Sequence, residues 1–281
     1  MLPGMSGAER ALVYGLFGGM PLYLSWWDAA QSVTQNLARI AGSPGSPALT
    51  EGALIMSVEV GGAEQSALVL HAIASGKTKH AEIQQAIGAE PTRVLTRLMD
   101  AWLIERQVPV TEDSGRSRRP SYRLANNFLA FYLGPLARFR SQIERGRGAA
   151  TMSALLRHLD DHMGLAYEAS FREHLWRLVL AGELGEDVVA IGPWWDSSGE
   201  NQLDAVVIAQ PNLTRVPILI GESKWTRRVD GGRMDRVLDQ KALALNVDPE
   251  QIRHAICARD EVHDARPGTL VVTADDIFSP A

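Results

Sequence analysis

The stretch Pro217–Trp225, PILIGESKW, decides the fold of the C-terminal part of the chain. Its apolar residues have the pattern of a short buried strand, and charged residues follow at the strand end. Side chains two residues apart on a strand point to the same face, so Glu222 and Lys224 are expected to lie together. A second apolar strand, QLDAVVIA, lies upstream and carries Asp204 near its beginning. The two strands are therefore predicted to bring two acids and a lysine to one place.

These three residues are the components of a site for Mg²⁺ or Mn²⁺. Proteins bind Mg²⁺ through one or two carboxylates, with water and substrate phosphate completing the shell, so Asp204 and Glu222 are the predicted metal ligands. Lys224 is predicted to hold an attacking water and to offset charge in the transition state. Glu168, on a helix expected to pack against the sheet, is predicted to complete the metal shell or to orient a water there. The predicted catalytic set is therefore Lys224, Glu222, Asp204 and Glu168.

An alternative explains the same residues without a site. In it Glu222 pairs with Lys224 at the protein surface and Asp204 caps a turn, since surface pairs of this kind are common and weak. The pattern of an apolar strand running into Glu-x-Lys, after an acid on the preceding strand, favours the site.

The segment 161–281 has the order helix, three antiparallel strands, helix, strand, strand, with the first helix expected to begin at about Gly164. This order predicts an α/β domain with a mixed sheet flanked by helices, with the acids at strand ends. On the helix that follows PILIGESKW, Gln240 and Lys241 are predicted to contact phosphate.

Length and composition are those of a multidomain α+β globular protein. The 281 residues are compatible with two or three modules, and 46% hydrophobic and 22% charged residues are ordinary shares. Cys257 is the one cysteine, which excludes an intrachain disulfide and a cysteine-based zinc site. No apolar run is long enough to cross a membrane and the N-terminus lacks a signal-peptide pattern, so no membrane association and a cytoplasmic location are expected.

The segment 59–125 has the outline of a winged helix. QSALVLHAIASG and KTKHAEIQQAIGA are predicted helices that end at glycines, and EPTRVLTRLMDAWLIERQ is a third with an apolar stripe that reaches Leu103. VPVTEDSGRSRRPSYRLA follows as strand, turn and strand. In a winged helix the third helix enters the DNA major groove and the wing touches the backbone. The predicted nucleic-acid contacts are Thr92, Arg93, Thr96 and Arg97 on the helix, and Arg116, Arg118 and Arg119 at the tip. The alternative is a winged helix that binds protein, because the helices carry few net charges.

Positive charge is concentrated in the middle of the chain. Between Ser114 and Gly148 there are eight arginines and one acid, Glu144, so this segment has a net charge of +7. Because the whole chain has a net charge of −5, the remaining residues together carry −12. A basic centre between acidic flanks is typical of a surface that contacts phosphate, whereas the alternative is a solvated arginine-rich linker. The segment 126–160 is predicted to be a helical basic linker.

The segment 1–58 is predicted to form helices with loose connections. It is rich in apolar residues yet too short to bury them alone, which indicates a surface for a partner or the end of a larger unit. The sequence ASGKT at Ala74–Thr78 lacks the glycine that a phosphate-binding loop needs five positions before Gly76, since position 71 is His. No nucleotide is therefore expected in this chain.

Together these motifs resemble a family of archaeal and bacterial P-loop ATPases with a C-terminal winged helix and a domain similar to PD-(D/E)xK nucleases. IGPWWDSSGENQLDAVVI and ILIGESKW resemble their C-terminal domain, LHAIASGKTKHAEI their winged helix, and YRLANNFLAFYL the linker into the last domain. GGMPLYL resembles the lid helices that end the ATPase module, so the segment 1–58 is expected to be lid-like. The resemblance covers nearly the whole chain and maps the nuclease motif onto Glu168, Asp204, Glu222 and Lys224.

The resemblance implies a metal-dependent, nuclease-like domain at the end of a longer ATPase. The chain begins at about the lid, so it is expected to be a fragment or a truncation, and ATP binding is not carried over. The predicted function is phosphodiester hydrolysis by a Mg²⁺-activated water in a protein whose winged helix binds nucleic acid, with DNA the expected partner. The alternative is a non-catalytic DNA-binding or protein-interaction module. The N-terminal segment is expected to meet an ATPase module or a second copy of the chain.

Overall fold

The structure, a computed structural model, describes residues 4–58 and 64–279. It is a mixed α+β protein, as predicted, and it divides into two compact units. The first unit holds Leu12–Gln107 and Pro120–Met163, and the second holds Ser6–Ala11, Val108–Arg119 and the chain from Gly164 onward. The finer division at residues 58, 125 and 160 stays a prediction.

Helices dominate the first half of the chain, and only one hairpin interrupts them in the described residues. In chain order the elements are α1 (Gly7–Phe17), α2 (Pro21–Ser25), α3 (Val33–Ala41), α4 (Pro47–Val58), α5 (Glu64–Ala74), α6 (His80–Ile87), α7 (Thr92–Asp100), β1 (Ile104–Gln107), β2 (Ser121–Leu124), α8 (Asn127–Phe131), a π turn (Tyr132–Leu136), a 3₁₀ turn (Ala137–Phe139), α9 (Arg140–Glu144) and α10 (Gly148–Leu180).

The first unit has its own apolar core. Phe17 and Phe131 are fully buried and lie edge to face, with ring centroids 5.9 Å apart. Leu37 and Ile40 from α3 are fully buried in the same core. Many apolar residues of the N-terminal segment are therefore buried, whereas five large ones stay exposed: Tyr14, Met20, Leu22, Leu54 and Val58.

The third predicted helix ends earlier than the sequence indicated. α7 stops at Asp100 because Trp102 takes a left-handed backbone conformation, with φ 57°. The N–H of Leu103 then donates to the carbonyl of Leu98 at 2.9 Å, which closes the helix end. The strand predicted at VPVTED is therefore wrong in position: the strand is β1, Ile104–Gln107, paired antiparallel with β2.

A single 33-residue helix, α10, replaces the separate helix that was predicted to begin at Gly164. A glycine inside a helix costs about 1 kcal/mol relative to alanine, which is too little to end a helix whose neighbours pack well. Met163, Tyr167 and Phe171 are all nearly or fully buried. Glu168 therefore lies in the interior of a long helix.

The second unit is built on a five-stranded sheet with the order β3-β4-β5-β7-β9. Its elements are β3 (Val188–Trp195), β4 (Gln202–Ala209), a 3₁₀ turn (Pro211–Leu213), β5 (Val216–Lys224), β6 (Arg228–Asp230), α11 (Gly231–Ala244), β7 (Arg253–Ala258), β8 (Glu261–His263), β9 (Leu270–Thr273) and α12 (Ala274–Phe278).

This sheet is mixed, as predicted. β3, β4 and β5 are antiparallel, whereas β5, β7 and β9 are parallel. Both faces of the central strands are covered, since Val207 and Leu219 belong to one apolar core and Val206 and Ile220 to the other. The small β6–β8 sheet and α12 were not predicted, because elements of three and five residues are too short to show periodicity.

Within residues 4–58 and 64–279, no helix combines the length and the apolar character needed to cross a membrane.

Candidate active site

The candidate site is formed where β4 and β5 pair. Ala205 on β4 lies opposite Gly221 on β5, so Asp204 and Glu222 follow at the same end of the pair. The backbone N–H of Ser223 donates to Asp204 Oδ2 at 2.8 Å and fixes that carboxylate against β5. A Cβ at Gly221 would lie 3.0 Å from the ring of Phe171, so glycine at this position lets α10 lie close to the strand.

Lys224 lies between the two carboxylates. Its Nζ is 2.6 Å from Glu222 Oε2 and 3.7 Å from Asp204 Oδ2. The side chain of Glu222 is 4% exposed, whereas that of Lys224 is 43% exposed. Both acids thus converge on one cationic group that reaches solvent.

Lys241 and Arg172 complete the surroundings of the two acids. Lys241 Nζ, on α11, is 2.5 Å from Glu222 Oε1, so both oxygens of that carboxylate have an ammonium partner. Arg172 Nη1 donates to the backbone carbonyl of Asp204 at 2.6 Å. The sequence placed Lys241 at substrate phosphate and did not single out Arg172, although an arginine one turn after Glu168 faces the same side of a helix.

The charges of the site disturb one another. Burial, and next the negative charge of Asp204, raises the pKa of Glu168 to about 7. Burial and the neighbouring Glu222 raise the pKa of Asp204. Burial alone would lower the pKa of Lys224, but the two carboxylates beside it outweigh burial and raise that pKa. Raised carboxyl pKa values from burial and crowded acids are typical of functional sites.

Two carboxylates of this site fit a divalent cation. Asp204 and Glu222 approach one ammonium group, which marks a single cation-sized position, and carboxylate oxygens are the ligands that Mg²⁺ prefers. The negative charges of Asp204 and Glu222 help to raise the pKa of Glu168, so the three carboxyl groups interact. In the part of the chain that the structure describes, no three or more His, Cys, Asp or Glu side chains form a group that could hold a metal. An ion held by the two carboxylates would take its remaining ligands from water and substrate.

The predicted nucleic-acid contacts on α7 lie on its solvent face. Thr92, Arg93, Thr96 and Arg97 are exposed. Arg97 also donates to the hydroxyl of Ser66 on α5. The surface predicted to meet DNA is thus accessible, and its role stays a prediction.

The basic tip between β1 and β2 belongs to the second unit. Arg116 and Arg118 are exposed there. Arg119 is instead used inside the unit, where its Nε donates to Glu112 at 2.9 Å and its Nη1 donates to the Trp195 carbonyl at 3.0 Å. Arg119 is therefore less available to phosphate than its two neighbours.

A second buried acid cluster, which the sequence did not indicate, lies in the same unit. Asp235 on α11 accepts hydrogen bonds from the N–H of Arg266 at 2.7 Å and the hydroxyl of Thr269 at 2.9 Å. His254 Nδ1, on β7, is 2.8 Å from the same carboxylate. His254 Nε2 is buried without a hydrogen-bond partner, 3.6 Å from Asp239 Oδ1. These partners lie 19 to 34 residues apart, so no local pattern reveals them.

Comparisons with known proteins name a family and no activity. Residues 132–236 match DUF234, described as archaeal and bacterial proteins of unknown function, and the match includes Glu168, Asp204, Glu222 and Lys224. An uncharacterized protein of Methanocaldococcus jannaschii is 26% identical over 261 residues, which cover 89% of this chain and 56% of that protein. The chain therefore spans about half the length of this relative. No solved structure gives a significant match.

Proposed function

We propose that the protein is a metal-dependent nuclease that hydrolyses phosphodiester bonds. The observation that carries the proposal is the convergence of Asp204 and Glu222 on Lys224 Nζ, at 3.7 and 2.6 Å. A structural ion pair needs one acid. Here a second carboxylate shares the ammonium, and the pKa values of Asp204 and Glu168 are raised, which favours function over stability as the reason for the cluster.

The second unit is proposed to be a PD-(D/E)xK-like domain. The order of elements supports this: a helix carries Glu168, the second strand of an antiparallel meander carries Asp204, and the third carries Glu222 and Lys224. The matched archaeal and bacterial family spans these residues and does not contradict the proposal.

In this proposal Asp204 and Glu222 hold Mg²⁺ or Mn²⁺, and Glu168 adds a ligand or orients water. When bound, the ion polarises the phosphate and lowers the pKa of water. Hydrolysis adds the hydroxide of a water to phosphorus, breaks the bond from phosphorus to the leaving sugar oxygen, and transfers the remaining proton to that oxygen. Lys224 positions the water and offsets the negative charge that develops on the phosphate. Gln240 would contact the substrate phosphate, and Lys241 would do so only after its ammonium group leaves Glu222.

The predicted winged helix is proposed to bind the nucleic acid, with DNA the expected partner. The helices α5, α6 and α7 followed by the β1–β2 hairpin have the element order of a winged helix. Arg93 on α7, and Arg116 and Arg118 at the tip, are exposed and would contact the backbone. The N-terminal segment is proposed to meet an ATPase module or a second copy, in the cytoplasm.

The test is incubation with supercoiled plasmid and with single-stranded DNA in Mg²⁺ or Mn²⁺. Cutting by the wild type is expected, and Asp204→Ala should reduce its rate by about 10³-fold, since the substitution removes a metal ligand. Glu200→Gln, at an exposed acid of the same unit, is the matched control and should cut normally. Absence of cutting in either metal, or cutting that Asp204→Ala leaves unchanged, would reject the proposal.

A second candidate is a regulatory module that binds nucleic acid without cutting it. Two observations favour it: ammonium groups occupy both oxygens of Glu222, and the described residues contain no three-ligand metal group. This candidate predicts salt-dependent binding that needs no metal and survives Lys224→Ala. Binding in EDTA together with absent cutting in Mg²⁺ and Mn²⁺ would favour it.

A further inference from the structure

The solvent face of α11 carries basic residues beside the candidate site. Arg233, Arg236 and Gln240 are exposed. Their spacing of three and four residues places them on one side of the helix, which we name the α11 face. Lys241, the next residue, donates to Glu222. The α11 face therefore begins next to the carboxylates and runs toward the N-terminal end of the helix.

The arginine side chains of the α11 face do not pair with other side chains in the part of the protein that the structure describes. Among the described residues, neither Arg233 nor Arg236 makes a side-chain hydrogen bond or an ion pair. Their acidic neighbours are occupied: Asp230 accepts the N–H of residue 233 at 2.8 Å and caps the helix. Asp239 pairs with both terminal nitrogens of Arg266, at 3.1 and 2.6 Å. The α11 face is therefore net positive.

α11 is a rigid support for these arginines. Asp235 binds the helix to β7 and to the loop before β9 through His254, the N–H of Arg266 and Thr269, all within 2.9 Å. One turn before the helix ends, Lys241 holds it to Glu222. Anchored at these two points, the helix places its arginines beside the site.

Building on the proposed nuclease function, we propose that the α11 face binds the phosphate backbone of the nucleic acid and leads it to Asp204 and Glu222. A helix rises 1.5 Å per residue, which places Arg236 about 7.5 Å and Arg233 about 12 Å from Lys241 along the axis. At about 3.4 Å per base pair, these positions correspond to roughly two to four pairs of a duplex. Arginine pairs with phosphate through two parallel hydrogen bonds, which suits this ligand.

An anionic membrane is the competing ligand that the same charges would attract. Leu243 is the exposed large apolar residue near the end of the α11 face, at 62% exposure. One leucine offers little apolar area for insertion between lipids, so the observations favour nucleic acid.

The experiment measures binding of fluorescent duplex DNA in EDTA over a series of salt concentrations, so that no cutting occurs. The wild type is compared with the double variant Arg233→Gln, Arg236→Gln. Loss of two phosphate contacts should lower the slope of log affinity against log salt by about 2, and weaken binding roughly tenfold per arginine near 0.1 M salt.

Arg253→Gln is the matched control. Arg253 is exposed at the beginning of β7 and pairs with Leu219, whereas Ile256 further along β7 pairs with Glu222. The control removes one arginine charge from the same unit, away from the site, so its slope should stay close to that of the wild type. Unchanged melting temperatures would show that the variants are folded.

An unchanged slope in the double variant overturns the inference. Equally tight binding to vesicles of anionic lipid, lost in the double variant, also overturns it. Plasmid cutting separates this inference from the proposed function. If the wild type cuts and the double variant binds and cuts equally well, the inference alone fails. If no protein cuts and the double variant still loses DNA binding, the nuclease proposal alone fails.

Discussion

The second unit contains two buried acid clusters that are built differently. In one, the carboxylate of Asp235 accepts hydrogen bonds from a backbone N–H and a hydroxyl and lies beside a histidine nitrogen. In the other, Asp204 and Glu222 share the ammonium of Lys224, and Glu168 lies close enough for their charges to interact. The first cluster surrounds one carboxylate with donors from three residues, whereas the second brings several carboxyl groups close together.

The pKa directions separate the two clusters. Burial would raise the pKa of Asp235, but hydrogen bonds from Arg266, His254 and Thr269 outweigh it and lower that pKa. Burial and Glu222 raise the pKa of Asp204. A charged Asp235 therefore stabilises the fold, whereas a charged Asp204 opposes it. Residues that reduce stability in a buried place are candidates for function.

The largest expected difference in the free energy of unfolding is between two variants that each replace an aspartate with asparagine. Asp235→Asn turns an N–H₂ group toward a donor inside the protein, so we expect a loss of roughly 2–4 kcal/mol in the free energy of unfolding. Asp204→Asn removes a carboxyl group whose pKa is raised, so we expect the free energy of unfolding either to fall by less than about 1 kcal/mol or to increase. Urea unfolding at neutral pH measures both.

The pH dependence of the same pair sharpens the contrast. The stability that Asp235 contributes is present above its ordinary pKa of 3.8 and is lost as the pH falls through the lower folded value. Equal losses for the two variants at neutral pH would mean that the clusters do not differ.

Glu168→Gln should give the next largest effect. The folded pKa of about 7 lies above the ordinary 4.5, so the folded protein binds the proton more tightly and loses stability as the pH rises between these values. The variant lacks this loss, so it should exceed the wild type by roughly 1–3 kcal/mol above pH 7. Thermal unfolding in metal-free buffer at several pH values tests this, and the difference should vanish below about pH 4.5. A difference in stability between the two proteins that does not depend on pH would contradict the raised pKa of Glu168.

A smaller difference in the free energy of unfolding is expected between substitutions of the two lysines of the site. The side chain of Lys241 is 20% exposed and that of Lys224 is 43% exposed, while Glu222 is 4% exposed. Lys241→Met leaves a buried carboxylate oxygen without its partner, so we expect a loss of about 1–2 kcal/mol, and a smaller loss for Lys224→Met. Denaturant midpoints of the two variants provide the comparison. The reverse order would indicate that Lys224 is the structural partner of Glu222.

The smallest effect is expected outside both clusters. Arg228 pairs with Glu261 at 2.8 Å, but their side chains are 75% and 50% exposed. Arg228→Gln should change the free energy of unfolding by less than about 0.5 kcal/mol, because water screens such pairs. This variant sets the baseline for the others, and a loss above 1 kcal/mol would show that surface charge matters more than the comparison assumes.

The sequence predicted those parts of the site that depend on local geometry. Glu222 and Lys224 share a face because strand side chains alternate, and the order of apolar strands brought Asp204 beside them. Lys241 and Asp235 depend on how α11 packs against β5 and β7, and their partners lie 19 residues away or more. Only the folded chain reveals such pairs.

The predicted boundaries of helices were wrong where the backbone adopts a conformation that the residue at that position does not usually favour. Trp102 adopts a left-handed conformation that glycine or asparagine takes more readily, so the early end of α7 had no sequence signal. Gly164 gave the opposite error, because a residue that often ends helices lies inside α10. The mixed sheet was predictable, since its long apolar strands are strongly periodic.

The most direct test is titration with Mn²⁺ followed by calorimetry, which asks whether the Asp204–Glu222 cluster binds a divalent cation. We predict binding to the wild type that Asp204→Asn abolishes and that Lys241→Met preserves, because the latter removes a competing ammonium. Absence of Mn²⁺ binding to the wild type, or binding that Asp204→Asn leaves unchanged, would contradict the account.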